Sequence, residues 1–293
     1  MKIAVVGSIN TDLVYTIDKA PSKGETLFGN DFKILNGGKG ANQAVILSAL
    51  EDDILFLGAL GNDVFGKQYI EHLTSLGLNG NVLTKESNSG LAVIQLADND
   101  NSIVVVKGAN DKITKNDIDL FFNNNPFIEI LVAQLEINFE TIKYLIKRAK
   151  ELSIKIILNP APAIDLDESI IENIEYLIPN ETEAEAIFKS KDLESIVNKY
   201  KGKVIITLGE NGVMYYKDKM VKVEPSDKIT VVDTTGAGDS FVAGFTSGIA
   251  NNLDIQDAIK KGIKIASVTC KHLGAQTSYS ILKEMTKWKN KEY

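Results

Sequence analysis

Cysteine is almost missing from this chain. Cys270 is the only one, which excludes an internal disulfide and fits a reducing cytoplasm. Histidine is nearly as scarce: His72 and His272 are the whole supply, too few for a Cys/His zinc site. A Ser-His-Asp triad would have to use one of them, and neither lies near a nucleophile-elbow pattern. Arg148 is the only arginine, so an arginine clamp on phosphate has nothing to build on. Long apolar runs are missing too; no segment approaches the roughly 18 residues that span a bilayer. The short N-terminal run MKIAVVG reads as a buried strand, not as a secretion signal. Positive charge is in deficit, with a net charge of −7. This argues against nucleic acid or an anionic membrane as a partner.

What remains is ordinary globular material. The 293 residues are 44% hydrophobic and 24% charged, ample for a large buried core. Short apolar runs at Ile3–Gly7, Ile54–Leu57, Ile130–Ala133, Ile154–Leu158, Tyr176–Ile178 and Val204–Thr207 predict strands buried on both faces. Helical patterns fall between them at Asn42–Leu50, Phe139–Glu151 and Glu181–Phe188. This alternation predicts an α/β fold with a doubly wound, mostly parallel sheet flanked by helices. Two regions, Leu13–Leu35 and Gly90–Lys107, read as strands with little helix, with a hairpin turn at Asp98–Asn101. They predict a small β-sheet covering one edge of a single domain that spans 1–293.

Polar residues follow the apolar runs at Gly7–Asn10, Gln134–Glu136, Asn159-Pro160, Asn180-Glu181, Thr207–Gly209 and Asp233–Thr235. In open parallel sheets the crevice for ligands lies at the carboxyl ends of the strands. The strongest single signal is the run from Ile229 to Phe241. Ile229–Val232 reads as a β-branched strand that enters Gly236-Ala237-Gly238 and then a helix with apolar Phe241, Val242, Phe245 and Ile249. Such a turn points backbone N–H groups into the crevice at the positive end of a helix, an anion hole suited to phosphoryl transfer. Asp239 beside it can accept the proton of an attacking hydroxyl, or it can simply cap the helix. Gly37-Gly38-Lys39-Gly40 is not a P-loop, because no Ser or Thr follows the lysine, and no Rossmann fingerprint is present. A dinucleotide-dependent dehydrogenase is thereby disfavoured.

The ordered motifs GSINTDLV (7–14), PSKGET (21–26), GGKGANQAV (37–45), GNDVFG (61–66), KGAN (107–110), LNPAP (158–162), PNETEAE (179–185), TLGENG (207–212) and VDTTGAGDSF (232–241) run from end to end. In this the chain resembles the ribokinase-type carbohydrate kinases. The resemblance implies ATP-dependent phosphorylation of the 5-hydroxyl of ribose, with Asp239 as base and Gly236, Ala237 and Gly238 as anion hole. It places Asn10, Asp12, Gly38, Lys39, Asn42 and Glu136 around the sugar. Asn180 and Glu183 would act on ATP-bound Mg²⁺ through water, and Thr207, Gly209 and Gly212 would border the nucleotide. Asp233, Thr235, Thr269, His272, Gly274 and Ser278 would hold an activating K⁺. GAQTSYS carries Thr277 where such kinases frequently have proline. The small sheet would be a lid, and two lids would pair in a homodimer.

From the residues alone, blander roles stand beside these. Glu183 can belong to a solvated acidic helix face, Lys39 can be an exposed charge, and Asn42 can cap a helix. The same chemistry on 2-deoxyribose, a nucleoside or another small sugar is the alternative within the resemblance. A sugar-sensing protein on a kinase scaffold is the alternative outside catalysis.

Overall fold

The computed structural model describes residues 1–97, 100–225 and 228–289. The chain opens with β1 (Ile3–Val6), β2 (Asn10–Thr16), β3 (Asp31–Gly37), α1 (Lys39–Leu50), β4 (Leu55–Leu57), β5 (Ala59–Gly61), α2 (Val64–Ser75) and β6 (Leu83–Lys85). It continues through β7 (Gly90–Ala97), β8 (Asp100–Val106), α3 (Lys115–Asn124), β9 (Ile130–Ala133), α4 (Phe139–Glu151), β10 (Lys155–Leu158), α5 (Glu168–Asn173), β11 (Tyr176–Leu177), α6 (Glu181–Phe188) and α7 (Leu193–Lys199). The last third holds β12 (Ile205–Thr207), β13 (Val213–Tyr216), β14 (Met220–Val223), α8 (Ala237–Ala250), α9 (Ile255–Thr269) and α10 (Tyr279–Lys289).

The main sheet is parallel, in the order β11-β10-β9-β1-β4. Parallel bridges Leu177↔Val204 and Asn180↔Thr207 join it to an antiparallel extension, β12-β13-β14. Successive residues of β1 serve opposite faces: Ile3 and Val5 pack in one core, Ala4 and Val6 in the other. Helices α1, α2, α8, α9 and α10 cover the first face, and α3 to α7 cover the second. Burial on both sides explains why these strands read as unbroken apolar runs and not as alternation. Strand order reverses at β1, which has β4 on one side and β9 on the other. A crevice at their carboxyl ends follows from that reversal.

The second sheet is mixed, in the order β3-β2-β7-β8, with β2 and β7 parallel and the outer pairs antiparallel. It begins at Asn10 and not at Leu13, so its root lies inside the crevice. The predicted turn at Asp98–Asn101 falls partly on residues 98 and 99, outside the described residues; β8 itself begins at Asp100. One expected strand is absent. Ile229–Val232 forms no strand, and the amides of Val232 and Asp233 donate to the Cys270 carbonyl at the end of α9. Val231 and Val232 stay exposed, so β-branching here serves an extended loop that has no neighbouring strand.

Helices α8 and α9 lie unusually close. A Cβ on Gly244 would come within 2.9 Å of the Gly262 Cα, and one on Gly262 within 2.8 Å of the Phe241 ring. That packing fixes the helix carrying Asp239. Gly262→Val is expected to cost about 1–3 kcal/mol through overpacking, read as a lower urea midpoint. An unchanged midpoint would show that α9 can slide without penalty.

Candidate active site

The loops after β1 and β9 meet the start of α1. Gly38 precedes that helix with φ 88°, and a Cβ there would lie 2.5 Å from the Asn10 nitrogen. Gly40 packs as closely, with its would-be Cβ 2.5 Å from Gly7 C and Ser8 N. This approach lets the first turn of α1 reach the carboxylate of Glu136. Glu136 Oε2 accepts from the Lys39 amide at 3.1 Å and from the Ser8 hydroxyl in a short hydrogen bond.

Asn10 and Asp12 stand at the root of the small sheet. Asn10 pairs with Gly37 on one side and Gly90 on the other. Its Oδ1 accepts from Asn110 Nδ2 at 2.8 Å, while Asn110 is pinned to the Ile9 amide and carbonyl at 2.9 and 3.0 Å. The orientation of the Asn10 amide is thereby set, and its Nδ2 is left free to donate. A Cβ at Gly37 would collide with the Asp12 carboxylate at 2.2 Å.

Asp239 is buried in the first turn of α8, but the cap of that helix is Gly236. The capping role considered for Asp239 is therefore excluded. Its oxygens accept from two amide side chains of α1, Oδ2 from Asn42 Nδ2 and Oδ1 from Gln43 Nε2, both at 2.9 Å. Asn42 likewise caps nothing. In the Gly236–Gly238 turn, the Ala237 amide donates to the Thr234 carbonyl at 3.1 Å. The open amides at the head of α8 among the described residues are those of Gly236, Gly238 and Asp239, so the donor set shifts by one residue from the expected one.

Charge in the crevice is unbalanced. Burial pulls the Lys39 ammonium down, but the carboxylates of Asp239, Glu136, Glu183 and Asp12 outweigh it and raise its pKa. Lys39 is thus not a free surface charge. Burial, then Glu136 and Asp239, push Asp12 up to about 7 against the pull of Lys39. Glu183 is raised mainly by burial, with Lys39 lowering it. It forms a reciprocal capping box with Asn180, at 2.7 and 2.8 Å, yet its charge is felt by Lys39 and Asp239, so it does not belong to a remote solvated face.

Beside the crevice lie two further groups. Thr207 bridges Asn180, and the turn after it carries Gly209 and Gly212 at positive φ. A Cβ at Gly212 would meet the Val223 carbonyl at 2.0 Å. Val223 in turn lines a cavity of about 690 Å³, together with Ile229, Ile263, Val268, Ile281 and Met285. This cavity gave no sign in the sequence, because its walls come from α9, α10 and the loop before Asp233. The second group gathers the expected cation residues. Asp233 accepts from the amides of Thr235 and Gly274 at 2.9 and 2.8 Å. Thr269 Oγ1 contacts Ser278 Oγ at 3.1 Å and Ser240 Oγ at 2.8 Å, and the Thr269 carbonyl accepts from the His272 amide. Among the described residues no three His, Cys, Asp or Glu side chains form a metal cluster, and no helix is long and apolar enough to cross a membrane.

Four buried amides were given no role by the sequence: Gln43, Asn110, Gln134 and Asn159. Gln134 Nε2 donates to Gln43 Oε1 at 2.6 Å, and Gln43 Nε2 also reaches Asn159 Oδ1 at 3.2 Å. Gln134 and Asn159 stand among the polar residues that follow the apolar strands, a signal that places them at the crevice without saying what they hold.

The raised Asp12 carries a stability consequence. Between the ordinary aspartate value of 3.8 and about 7 the folded chain holds a proton that the unfolded chain has released. Stability from this group therefore falls as pH rises through that window. The stability difference, Asp12→Asn minus wild type, is expected to grow between about pH 5 and pH 8 in urea titrations. Parallel curves would mean that Asp12 titrates as an ordinary aspartate.

Comparisons with known proteins identify the family. The pfkB family carbohydrate kinase model matches residues 1–282. A ribokinase of Lactococcus lactis subsp. lactis is 37% identical over 97% of this chain and 95% of its own length. A deoxyribokinase of Salmonella typhi is 35% identical over 98% of both. The structure of Arabidopsis thaliana ribokinase complexed with ribose and ATP superimposes with a TM-score of 0.83 at 28% identity, covering 97% of this chain and 98% of that one. On these matches, the chain belongs to the pfkB family of carbohydrate kinases, on its ribokinase branch, and is an ATP-dependent carbohydrate kinase.

Proposed function

We propose that the chain transfers the γ-phosphoryl group of ATP to the 5-hydroxyl of D-ribose, giving ribose 5-phosphate and ADP. The observation that carries this reading is Asp239, a buried carboxylate held by two neutral amides next to the open N-terminal amides of α8. Asp239 takes the hydroxyl proton as that oxygen forms its bond to the γ-phosphorus, and the bond to the β-phosphate oxygen breaks. The amides of Gly236, Gly238 and Asp239 meet charge on the transferring group. Asn10, Asp12, Lys39, Asn42 and Glu136 offer the donors and acceptors that sugar hydroxyls need. The Arabidopsis relative, complexed with ribose and ATP, supports both ligands.

Thr207, Gly209 and Gly212 border the nucleotide, and the cavity beyond Gly212, where apolar Val223, Ile229 and Val268 stand beside Lys260, Lys264 and His272, suits its base. Mg²⁺ bound to ATP supplies neutralisation of phosphate charge. Glu183 would face it through water, since its Oε2 is taken by the Asn180 amide and a half-buried carboxylate short of cation fits the task. The oxygens of Asp233, Thr235 and Ser278, with the carbonyls of Thr269, His272 and Gly274, are a donor set suited to K⁺. The small sheet acts as a lid that excludes water. Phe32, Ile34 and Ile103 to Val106 leave large apolar surface exposed on its outer strands, which supports a second copy closing lid on lid. The lone Cys270 fits a cytoplasmic setting.

Two outcomes are expected. In coupled ATP-consumption assays with ribose, 2-deoxyribose, fructose and adenosine, with and without K⁺, ribose gives the highest kcat/KM and K⁺ raises it. Asp239→Asn lowers kcat at least about a hundredfold; turnover retained by that variant would remove Asp239 from the base role. The second concerns Asn10, whose free Nδ2 suits a ribose hydroxyl. Asn10→Met is expected to shift the ribose to 2-deoxyribose preference toward the deoxy sugar by about tenfold or more. An unchanged ratio would show that Asn10 does not read the 2-hydroxyl.

A further inference from the structure

Asn42 can donate to Asp239 only if its amide faces the right way, and a primary amide has no intrinsic preference for one face. Its orientation is set from outside α1. Gln276, in the segment joining α9 to α10, donates from Nε2 to Asn42 Oδ1 at 2.9 Å and to the Tyr69 hydroxyl at 2.8 Å. The Tyr69 hydroxyl donates onward to the Gly37 carbonyl at 2.7 Å, so toward Gln276 it must accept. Gln276 Oε1 lies 2.9 Å from His72 Nε2, and as a carbonyl oxygen it can only accept from that ring nitrogen. Each polarity is thus forced by the next. Tyr69 and His72 of α2 fix Gln276, Gln276 fixes Asn42, and Asn42 presents N–H to Asp239 Oδ2.

We propose that Gln276 is a positioning residue for the phosphoryl-transfer reaction, acting on Asp239 through Asn42 and anchored by Tyr69 and His72. Gln276 is far from Asn42 in the chain, 234 residues away, and lies two residues before Ser278 and two after Gly274. The segment that carries the expected cation ligands therefore also controls the orientation of the catalytic carboxylate. The opposite oxygen is held independently by Gln43, whose amide is fixed by Gln134. Losing the Gln276 arm leaves Asp239 in place but with one oxygen unguided. This proposal rests on the reading that Asp239 accepts the sugar proton.

Gln276→Glu is the sharpest test, because it is isosteric and cannot donate when ionised. It sets an acceptor against Asn42 Oδ1, so that Asn42 turns and offers its own oxygen to Asp239. With the sugar that the wild type uses best, kcat is expected to fall on the order of tenfold to a hundredfold. The KM for ATP, which Asn42 does not touch, stays within about twofold. Gln276→Met, which removes both donors without adding charge, lowers kcat in the same direction and carries the test if the glutamate variant does not fold by circular dichroism. In an Asn42→Leu background, adding Gln276→Glu changes kcat by less than about twofold, since the two act in series. A folded Gln276→Glu enzyme with wild-type kcat overturns the proposal, as does a full repeat of the loss in the Asn42→Leu background. A wild type that phosphorylates no sugar overturns the proposed function itself, and this proposal with it.

Discussion

The site depends on how closely helix α1 approaches the end of β1. At Gly40 the helix backbone sits where any side chain would collide with Gly7 and Ser8. Because it comes that near, the Lys39 amide reaches Glu136, the Lys39 ammonium enters a group of carboxylates, and Asn42 and Gln43 reach Asp239. The sheet supplies the crevice by reversing its strand order at β1, and α8 supplies the open amides. Helix α1 touches both. A helix displaced by one side-chain layer would leave Asp239 and Glu136 each without its partners, though every strand stayed where it is.

Electrostatics then explains why the site suits a neutral, hydroxyl-rich ligand. Several carboxylates share one lysine, and the excess negative charge is partly relieved by a proton held on Asp12 near neutral pH. Sugar hydroxyls can donate to those carboxylates without adding charge. An anionic acceptor would meet repulsion from Asp12, Glu136 and Asp239 together. In the proposed function the negative substrate is accommodated elsewhere, at the head of α8, where backbone dipoles supply the positive end.

Much of this was legible in the sequence, for reasons that differ by element. Strands such as Ile130–Ala133 face apolar cores on both sides, so an unbroken hydrophobic run marks them, and α4 shows its core face at helical spacing with Asn138 as cap. The segment Ile229–Val232 misled for the same reason: β-branching describes extended backbone, and whether a neighbouring strand exists is settled by α9 and its Cys270 carbonyl, not by local residues. Asp239 was legible because charged groups beside glycines stand out. Gln43, Gln134, Asn110 and Gln276 were not committed to any role. An amide carries no charge to flag it, and its partners lie about a hundred or more residues away in the chain.

That difference bears on why amides orient Asp239 at all. An arginine would hold Asp239 more firmly, but its planar fork engages both carboxylate oxygens at once and brings a full charge. Amides take one oxygen each, stay neutral, and leave further lone pairs open to an incoming hydroxyl. The chain's single arginine is committed far from the crevice, where Arg148 pairs with Asp119 and Glu151. What neutral donors lack in strength must be recovered in direction, since a rotated amide repels where it should bind. Each amide at Asp239 is accordingly braced by another, Asn42 by Gln276 and Gln43 by Gln134. The braces come from different elements, so the Asp239 carboxylate is aligned only when α1, α2, β9 and the segment after α9 are all in place.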